Sequence, residues 1–354
     1  MKFIISAGGT GGHIMPAISI AEELRKRGHE ILYIGNKNSM EEKIVTKREF
    51  PFEAINVQKL YRSFTFKHFL FPFKLFTSII KVKKIFKKYK PDAYIGCGGF
   101  VSGPSGFVAR GNKVPYFLQE QNSYPGLTTR ALEAHARNIF IGQTNAQDYL
   151  KNKKVVYSGN PLNKNIIEST RLADMTPYSF DKNKKTLFLI GGSQGSRFLN
   201  ILLDKALDSL LKKYNIIWQL GKGNLAQFEK TNKDKPGLYM FEFSYEIDAL
   251  YNIADIAICR SGAITIAELE VKRIPAILIP LPTSAENHQH KNALEQSAKN
   301  IAITLEQINL DDKALIQEID KMSELLDYYK SNFTHCVHLE AVNTIVDSVL
   351  EIIK

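Results

Sequence analysis

The sequence predicts an α/β fold built as two doubly wound parallel-sheet domains facing across a cleft. Three observations carry this. Short apolar runs alternate with amphipathic stretches of helical period, the pattern of βαβ units. The alternation is interrupted once, by the polar stretch 163–185 that follows Gly159-Asn160-Pro161, and then restarts. Each half opens with the same device, a strand, a glycine cluster and a helix: Gly8-Gly9-Thr10-Gly11-Gly12 in the first, Gly191-Gly192-Ser193-Gln194-Gly195 in the second.

In chain order, the first half offers strands at Lys2–Ser6, Glu30–Ile34, Phe52–Asn56, Ala93–Gly96, Val114–Leu118, Asn138–Ile141 and Val155–Tyr157. Ala17, Ile20, Ala21 and Leu24 fall at i, i+3, i+4, i+7 and mark the first helix. The second half offers strands at Thr186–Ile190, Ile216–Leu220, Tyr239–Glu242, Asp255–Cys259, Ala276–Ile279 and Ala302–Leu305, with a helix over Phe198–Lys213. The expected domains are 1–160 and 161–338. Ligands of such sheets bind at the carboxyl ends of the strands.

At 354 residues the chain can bury two cores. No apolar run approaches the ~20 residues of a membrane span, and Phe3–Ala7 is too short for a signal peptide. Cys97, Cys259 and Cys336 have no CxxC spacing, which argues against a disulfide framework or a zinc site. A cytoplasmic protein is expected. The formal net charge is +11, and its distribution is uneven. Between Ala54 and Pro91 there is no Asp or Glu, but ten Lys or Arg and nine aromatics. The rest is almost neutral.

The first glycine cluster, with His13 directly after it, suits an anion or a sugar diphosphate. Glycines permit close backbone approach, and the helix start offers N–H groups and partial positive charge. His13 is the natural general base at neutral pH. A dinucleotide fingerprint is missing, since Ile14 stands where GxGxxG needs glycine and no acidic residue ends the second strand. A P-loop is missing too, so NAD binding and ATP hydrolysis are not expected. A second glycine-rich junction runs Gly96-Cys97-Gly98-Gly99-Phe100-Val101-Ser102-Gly103-Pro104. Gln119-Glu120-Gln121-Asn122 follows the fifth predicted strand, well placed to bond sugar hydroxyls. In the second half, Cys259-Arg260-Ser261-Gly262-Ala263-Ile264-Thr265-Ile266-Ala267-Glu268 reads as strand, turn and helix start. Glu268, if buried, can accept both hydroxyls of a ribose; its alternative is an exposed helix face. His288 and His290 are i, i+2 and share no helix face, and no Asp-x-Asp occurs, so no metal site is expected.

Taken together, Gly8–His13, Gly98–Pro104, Glu120-Gln121-Asn122, Gly159-Asn160-Pro161, Gly191–Gly195, Arg260–Glu268 and Gln289 resemble the MurG family over essentially the whole chain. These are bacterial enzymes that transfer N-acetylglucosamine from UDP to undecaprenyl-diphospho-muramoyl-pentapeptide in peptidoglycan synthesis. The resemblance implies a glycosyltransferase-B fold, an inverting reaction at the acceptor 4-hydroxyl, no cofactor and no tightly bound metal. It implies that Thr10, Gly11 and Gly12 line the sugar–diphosphate region and that Asn122 reaches the sugar. Ser193 and Gln194 would meet the diphosphate, and Ala263, Ile264, Thr265, Ile266 and Ala267 would give helix N-terminal contacts to phosphate. Glu268 would hold the ribose, Gln289 the sugar, and Arg260 belongs to the same donor set. A final helix, 339–354, would return to the N-terminal domain. The sequence departs from the family at Asn163, usually Arg; at Gln119, often His; and at Ser244, the uracil-edge position, often Ile. Gln119 leaves His13 as the histidine for the base, and backbone recognition of uracil tolerates Ser244.

The acceptor's lipid chain cannot leave the bilayer, so a peripheral site on the cytoplasmic face is expected. The segment Lys59–Lys90 is the candidate for docking on an anionic membrane surface. There Phe69, Phe73 and Phe76 can share one helical face, with Lys81, Lys83, Lys84, Lys87 and Lys88 following. Two rival readings are a UDP-N-acetylglucosamine 2-epimerase, which leaves the basic-aromatic segment unexplained, and a nucleic-acid-binding protein using that segment. The near-neutral remainder and the glycine loops argue against nucleic acid.

Overall fold

A computed structural model of the chain describes residues 1–58, 67–152, 154–192, 194–244 and 246–354, with backbone alone over 67–71. Lys59, Arg62, Phe64, Phe66 and Ser193 lie outside the described residues, as does the Phe69 side chain. The chain forms two compact units. One is Met1–Asn163 together with Val337–Lys354; the other is Lys164–Cys336.

The first unit holds β1 (Lys2–Ser6), α1 (Gly11–Lys26), β2 (Glu30–Asn36), α2 (Met40–Lys47), β3 (Phe52–Ile55), α3 (Lys67–Tyr89), β4 (Ala93–Gly96), α4 (Ser102–Gly111), β5 (Tyr116–Glu120), α5 (Leu127–Leu132), β6 (Ile139–Ile141) and β7 (Val155–Tyr157). Its sheet is parallel throughout, in the order β3-β2-β1-β4-β5-β6-β7. The second holds α6 (Lys164–Glu168), β8 (Thr186–Ile190), α7 (Arg197–Leu211), β9 (Asn215–Gln219), α8 (Leu225–Asn232), β10 (Leu238–Phe241), α9 (Ile247–Tyr251), β11 (Ile256–Cys259), α10 (Ala263–Lys272), β12 (Ala276–Leu278), α11 (His288–Ala298), β13 (Ala302–Thr304), α12 (Asp312–Glu324) and α13 (Leu326–Ser331). Its parallel sheet runs β10-β9-β8-β11-β12-β13.

The central strands β4, β8 and β11 are buried along their whole length, because helices cover both faces of a parallel sheet. That is why they read as continuous apolar runs. In each sheet the strand order reverses beside the first strand, between β1 and β4 and between β8 and β11. Loops diverge at such a switch point and leave a crevice at the carboxyl ends. Both glycine clusters follow the strand at that point.

The last helix, α14 (Ala341–Ile353), belongs to the first unit. Ile345, Val346 and Val349 join Ile14, Ala17, Ile18 and Ala21 of α1 in one core. Arg27, at the end of α1, is bonded by both Glu23 and Asp347. Every predicted strand is present, with one shift of consequence. β5 runs to Glu120, two residues beyond its predicted end, so Gln119 and Glu120 are strand residues rather than loop residues.

Candidate active site

In the first unit the β1–α1 turn is shaped by glycines from two loops. Gly9 has φ +94°, Gly98 φ +89° and Gly99 φ +75°, a region open to glycine. A Cβ on Gly99 would stand 2.1 Å from the Gly8 carbonyl oxygen, and one on Gly98 would stand 2.6 Å from His13 Cδ2. The 96–99 loop is therefore backbone laid directly on the first turn and on the imidazole. Ser102 at the start of α4 fixes it by donating to Ser6 O at 2.9 Å and to Gly98 O at 2.7 Å. Gly11 and Gly12 differ. A Cβ on Gly11 would meet nothing within 4 Å, and one on Gly12 only Thr10 Oγ1 at 3.7 Å. Packing does not demand glycine there.

Thr10 caps α1 without a side-chain bond to the helix. Its Oγ1 instead lies 3.1 Å from His13 Nδ1. With Nδ1 donating to Thr10, Nε2 is the basic nitrogen. Cys97 beside this turn is fully buried, and burial pushes its thiol well up, so it is no nucleophile.

The amide-rich run after β5 does not behave as expected. Gln119, Glu120 and Gln121 are all buried and bonded within the protein. Gln119 Nε2 donates to Asn160 Oδ1 at 3.2 Å, and Gln121 Nε2 donates to Cys97 O at 2.9 Å and to Gln119 Oε1. Asn160 N–H donates to His338 Nδ1 at 2.7 Å. Glu120 accepts from Asn122 N and Nδ2, each at 3.2 Å, from Gly126 N at 2.9 Å and from Thr129 Oγ1 at 2.7 Å. Only Asn122 of the four is partly exposed. The others build the loop, because an unpaired polar group in the interior is costly. Asn163 is the last residue of this unit.

In the second unit the β8–α7 and β9–α8 turns interlock. A Cβ on Gly195 would lie 2.1 Å from Leu220 O, and one on Gly221 2.1 Å from Gly195 N. Gln194 is exposed on this turn. Ser196 caps α7 by accepting from Leu199 N at 3.5 Å. At the next switch-point strand, α10 starts on Gly262 with no side-chain cap. Ile264 and Thr265 are partly exposed there. Ile266 and Ala267 turn into the core, and Ile266 N–H is already given to Gly262 O at 3.0 Å. These two thus build the helix rather than its ligand-facing end.

Glu268 is half-buried and accepts from Tyr251 Oη at 2.8 Å. Burial raises its carboxyl to about 7, against the pull of the Tyr251 bond. Arg260 donates from Nε to Ser196 Oγ at 3.2 Å, and from Nη1 to Ile279 O at 3.0 Å and Pro280 O at 3.1 Å. Its Nη2 donates to Gln307 Oε1 at 2.7 Å. Burial lowers the guanidinium to about 10, so it stays charged at neutral pH. Gln289 accepts from Leu281 N at 2.9 Å, and Ser244 accepts from Glu246 N at 3.0 Å through its hydroxyl. Tyr251 and Gln307 carry no motif in sequence, and only the packing of these elements reveals them.

Each doubly wound unit thus carries a glycine-rich turn at the carboxyl end of its switch-point strand. Glycosyltransferase family 28 matches both halves, its N-terminal domain over residues 3–141 and its C-terminal domain over 186–343. A Flavobacterium psychrophilum protein named UDP-N-acetylglucosamine--N-acetylmuramyl-(pentapeptide) pyrophosphoryl-undecaprenol N-acetylglucosamine transferase is 36% identical over 100% of this chain and 98% of its own. A Finegoldia magna protein of the same name is 33% identical over 100% and 99%. The crystal structure of Acinetobacter baumannii MurG superposes with a TM-score of 0.79 at 26% identity, over 99% of both chains. A Neisseria meningitidis UDP-GlcNAc 2-epimerase, bound to UDP-GlcNAc, shares the fold at 13% identity, covering 99% of this chain and 100% of its own, with a TM-score of 0.68. The chain belongs to glycosyltransferase family 28, alongside the MurG transferases.

Proposed function

We infer that the protein transfers N-acetylglucosamine from UDP-N-acetylglucosamine to the 4-hydroxyl of undecaprenyl-diphospho-N-acetylmuramoyl-peptide, with inversion, as a step of peptidoglycan synthesis. The observation that carries this is full-length similarity to transferases of that name, with a glycine-loop crevice in each unit. The 2-epimerase alternative shares the fold alone.

The second unit takes the donor. The starts of α7 and α10 present N–H groups that stabilise the charge gathering on departing UDP. Gln194 and Ser193 serve the diphosphate, and Ala263, Ile264 and Thr265 the phosphates through their backbone. Glu268 accepts the ribose hydroxyls, Ser244 offers backbone to uracil, and Gln289 meets the sugar. The first unit takes the acceptor. Thr10 orients His13, whose Nε2 removes the proton of the 4-hydroxyl as that oxygen attacks the anomeric carbon and UDP leaves. General base catalysis supplies typically ~10²–10⁴-fold. Asn122, held by Glu120, is offered to a sugar hydroxyl.

The same unit docks on an anionic membrane surface at the cytoplasmic face. Among the described residues no helix is long and apolar enough to cross a membrane. On α3, Phe73 is 67% and Phe76 62% exposed, while Lys81, Lys83, Lys84, Lys87 and Lys88 are exposed along its second half. The defining experiment follows label from UDP-N-acetylglucosamine into a short-chain lipid acceptor. A β-linked disaccharide-lipid is expected; a free 2-epimer, or no transfer, overturns the reading.

A further inference from the structure

Arg260 sits where four loops of the second unit converge. Its guanidinium joins the α7 cap at Ser196, the chain after β12 at Ile279 and Pro280, and the chain after β13 at Gln307. Every one of these acceptors is neutral: a hydroxyl, two backbone carbonyls and a side-chain amide. Four donor contacts fix the plane of the group, and no carboxylate takes part in them. The acidic neighbour in sequence, Glu306, lies 2.9 Å from His290 Nε2 instead. At positions 306 and 307 the chain thus presents a carboxylate to a histidine and an amide to the arginine.

This arrangement matters for an anion. A guanidinium paired with a carboxylate projects little net charge, whereas one held by dipoles keeps its full charge in a place of reduced dielectric. Here that charge stands beside Ser196, the cap of the helix whose start carries the second glycine cluster. We propose that Gln307 is a positioning residue for the donor diphosphate. It fixes Arg260 through a neutral acceptor, so that the guanidinium charge is kept for the phosphates without Arg260 having to bond them directly. The inference rests on the second unit being the UDP site.

The test compares UDP with uridine, which lacks the diphosphate, by calorimetry on the full chain. Gln307→Glu keeps an acceptor in reach of Arg260 but neutralises it. Gln307→Leu removes the acceptor and adds no charge. For Gln307→Glu, UDP affinity is expected to fall about tenfold or more with uridine affinity unchanged. Raising the salt should narrow the gap from wild type. Gln307→Leu should lose less UDP affinity than Gln307→Glu. An unchanged ratio of UDP to uridine affinity in Gln307→Glu overturns the proposal, and so does a parallel loss of both ligands. Wild type that binds neither UDP nor uridine overturns the donor-site reading as well.

Discussion

His13 is held from two sides, by the Thr10 hydroxyl at 3.1 Å and by the bare backbone of Gly98. If His13 is the proposed base, removing its imidazole removes that base. His13→Ala should lower kcat by about 10²-fold or more with UDP affinity unchanged; a folded variant with near-normal kcat disproves the assignment. Gly98→Ala tests the positioning. The new methyl would enter at 2.6 Å from the ring and at a φ that alanine rarely adopts. Turnover should drop while UDP binding, read by calorimetry, persists.

Glu268 gives a prediction in pH. Its carboxyl titrates near 7 in the folded protein against an ordinary 4.5. The folded state therefore binds more protons than the unfolded chain between those values, so stability falls as pH rises from about 4.5 to about 7. Glu268→Gln should raise the melting temperature of ligand-free protein above pH 7 and flatten this slope. On the proposed role the ribose hydroxyls would donate to the carboxylate, so UDP affinity should rise as pH passes through 7 in wild type and less so in the variant. A wild-type UDP affinity flat from pH 5.5 to 8 contradicts the ribose role.

At the scale of elements, α3 carries two patterns on one helix. Ser78, Val82, Ile85 and Phe86 are buried and pack it on the sheet, so its lysines are the solvated side of a core helix. Phe73, Phe76 and Ile80 fall at i, i+3, i+7 and are exposed, which core packing does not account for. Changing Lys81, Lys83, Lys84 and Lys87 to Glu should abolish co-sedimentation with phosphatidylglycerol vesicles, each lysine being worth ~1 kcal/mol at such a surface. Phe73→Ser with Phe76→Ser should weaken it separately and with little salt dependence. UDP binding should be spared in both. Equal vesicle binding by the charge-reversed protein rules the docking face out.

For the whole molecule, the C-terminal helix is structurally part of the first unit. Ile345 on α14 is fully buried against the α1 core, so Ile345→Ala should cost about 2–5 kcal/mol, seen as a lowered denaturation midpoint. The sequence by itself determined the order of thirteen strands, the restart after Pro161, both glycine turns and the family. These are legible because apolar runs, helical period and glycine clusters are written in contiguous residues. Tertiary structure decided which polar groups are bonded within the protein. Gln119, Glu120 and Gln121 looked like a sugar-binding loop and are instead buried loop supports, since β5 continues and brings Cys97, Asn160 and Thr129 to them. In sequence Glu268 fits either a buried or an exposed face, and in the fold Tyr251 reaches it from another helix. Arg260 is expected in the donor set, and four of its donor contacts go to Ser196, Ile279, Pro280 and Gln307. Those partners lie on strands and helices that become neighbours only when the sheet assembles, and no local pattern encodes them.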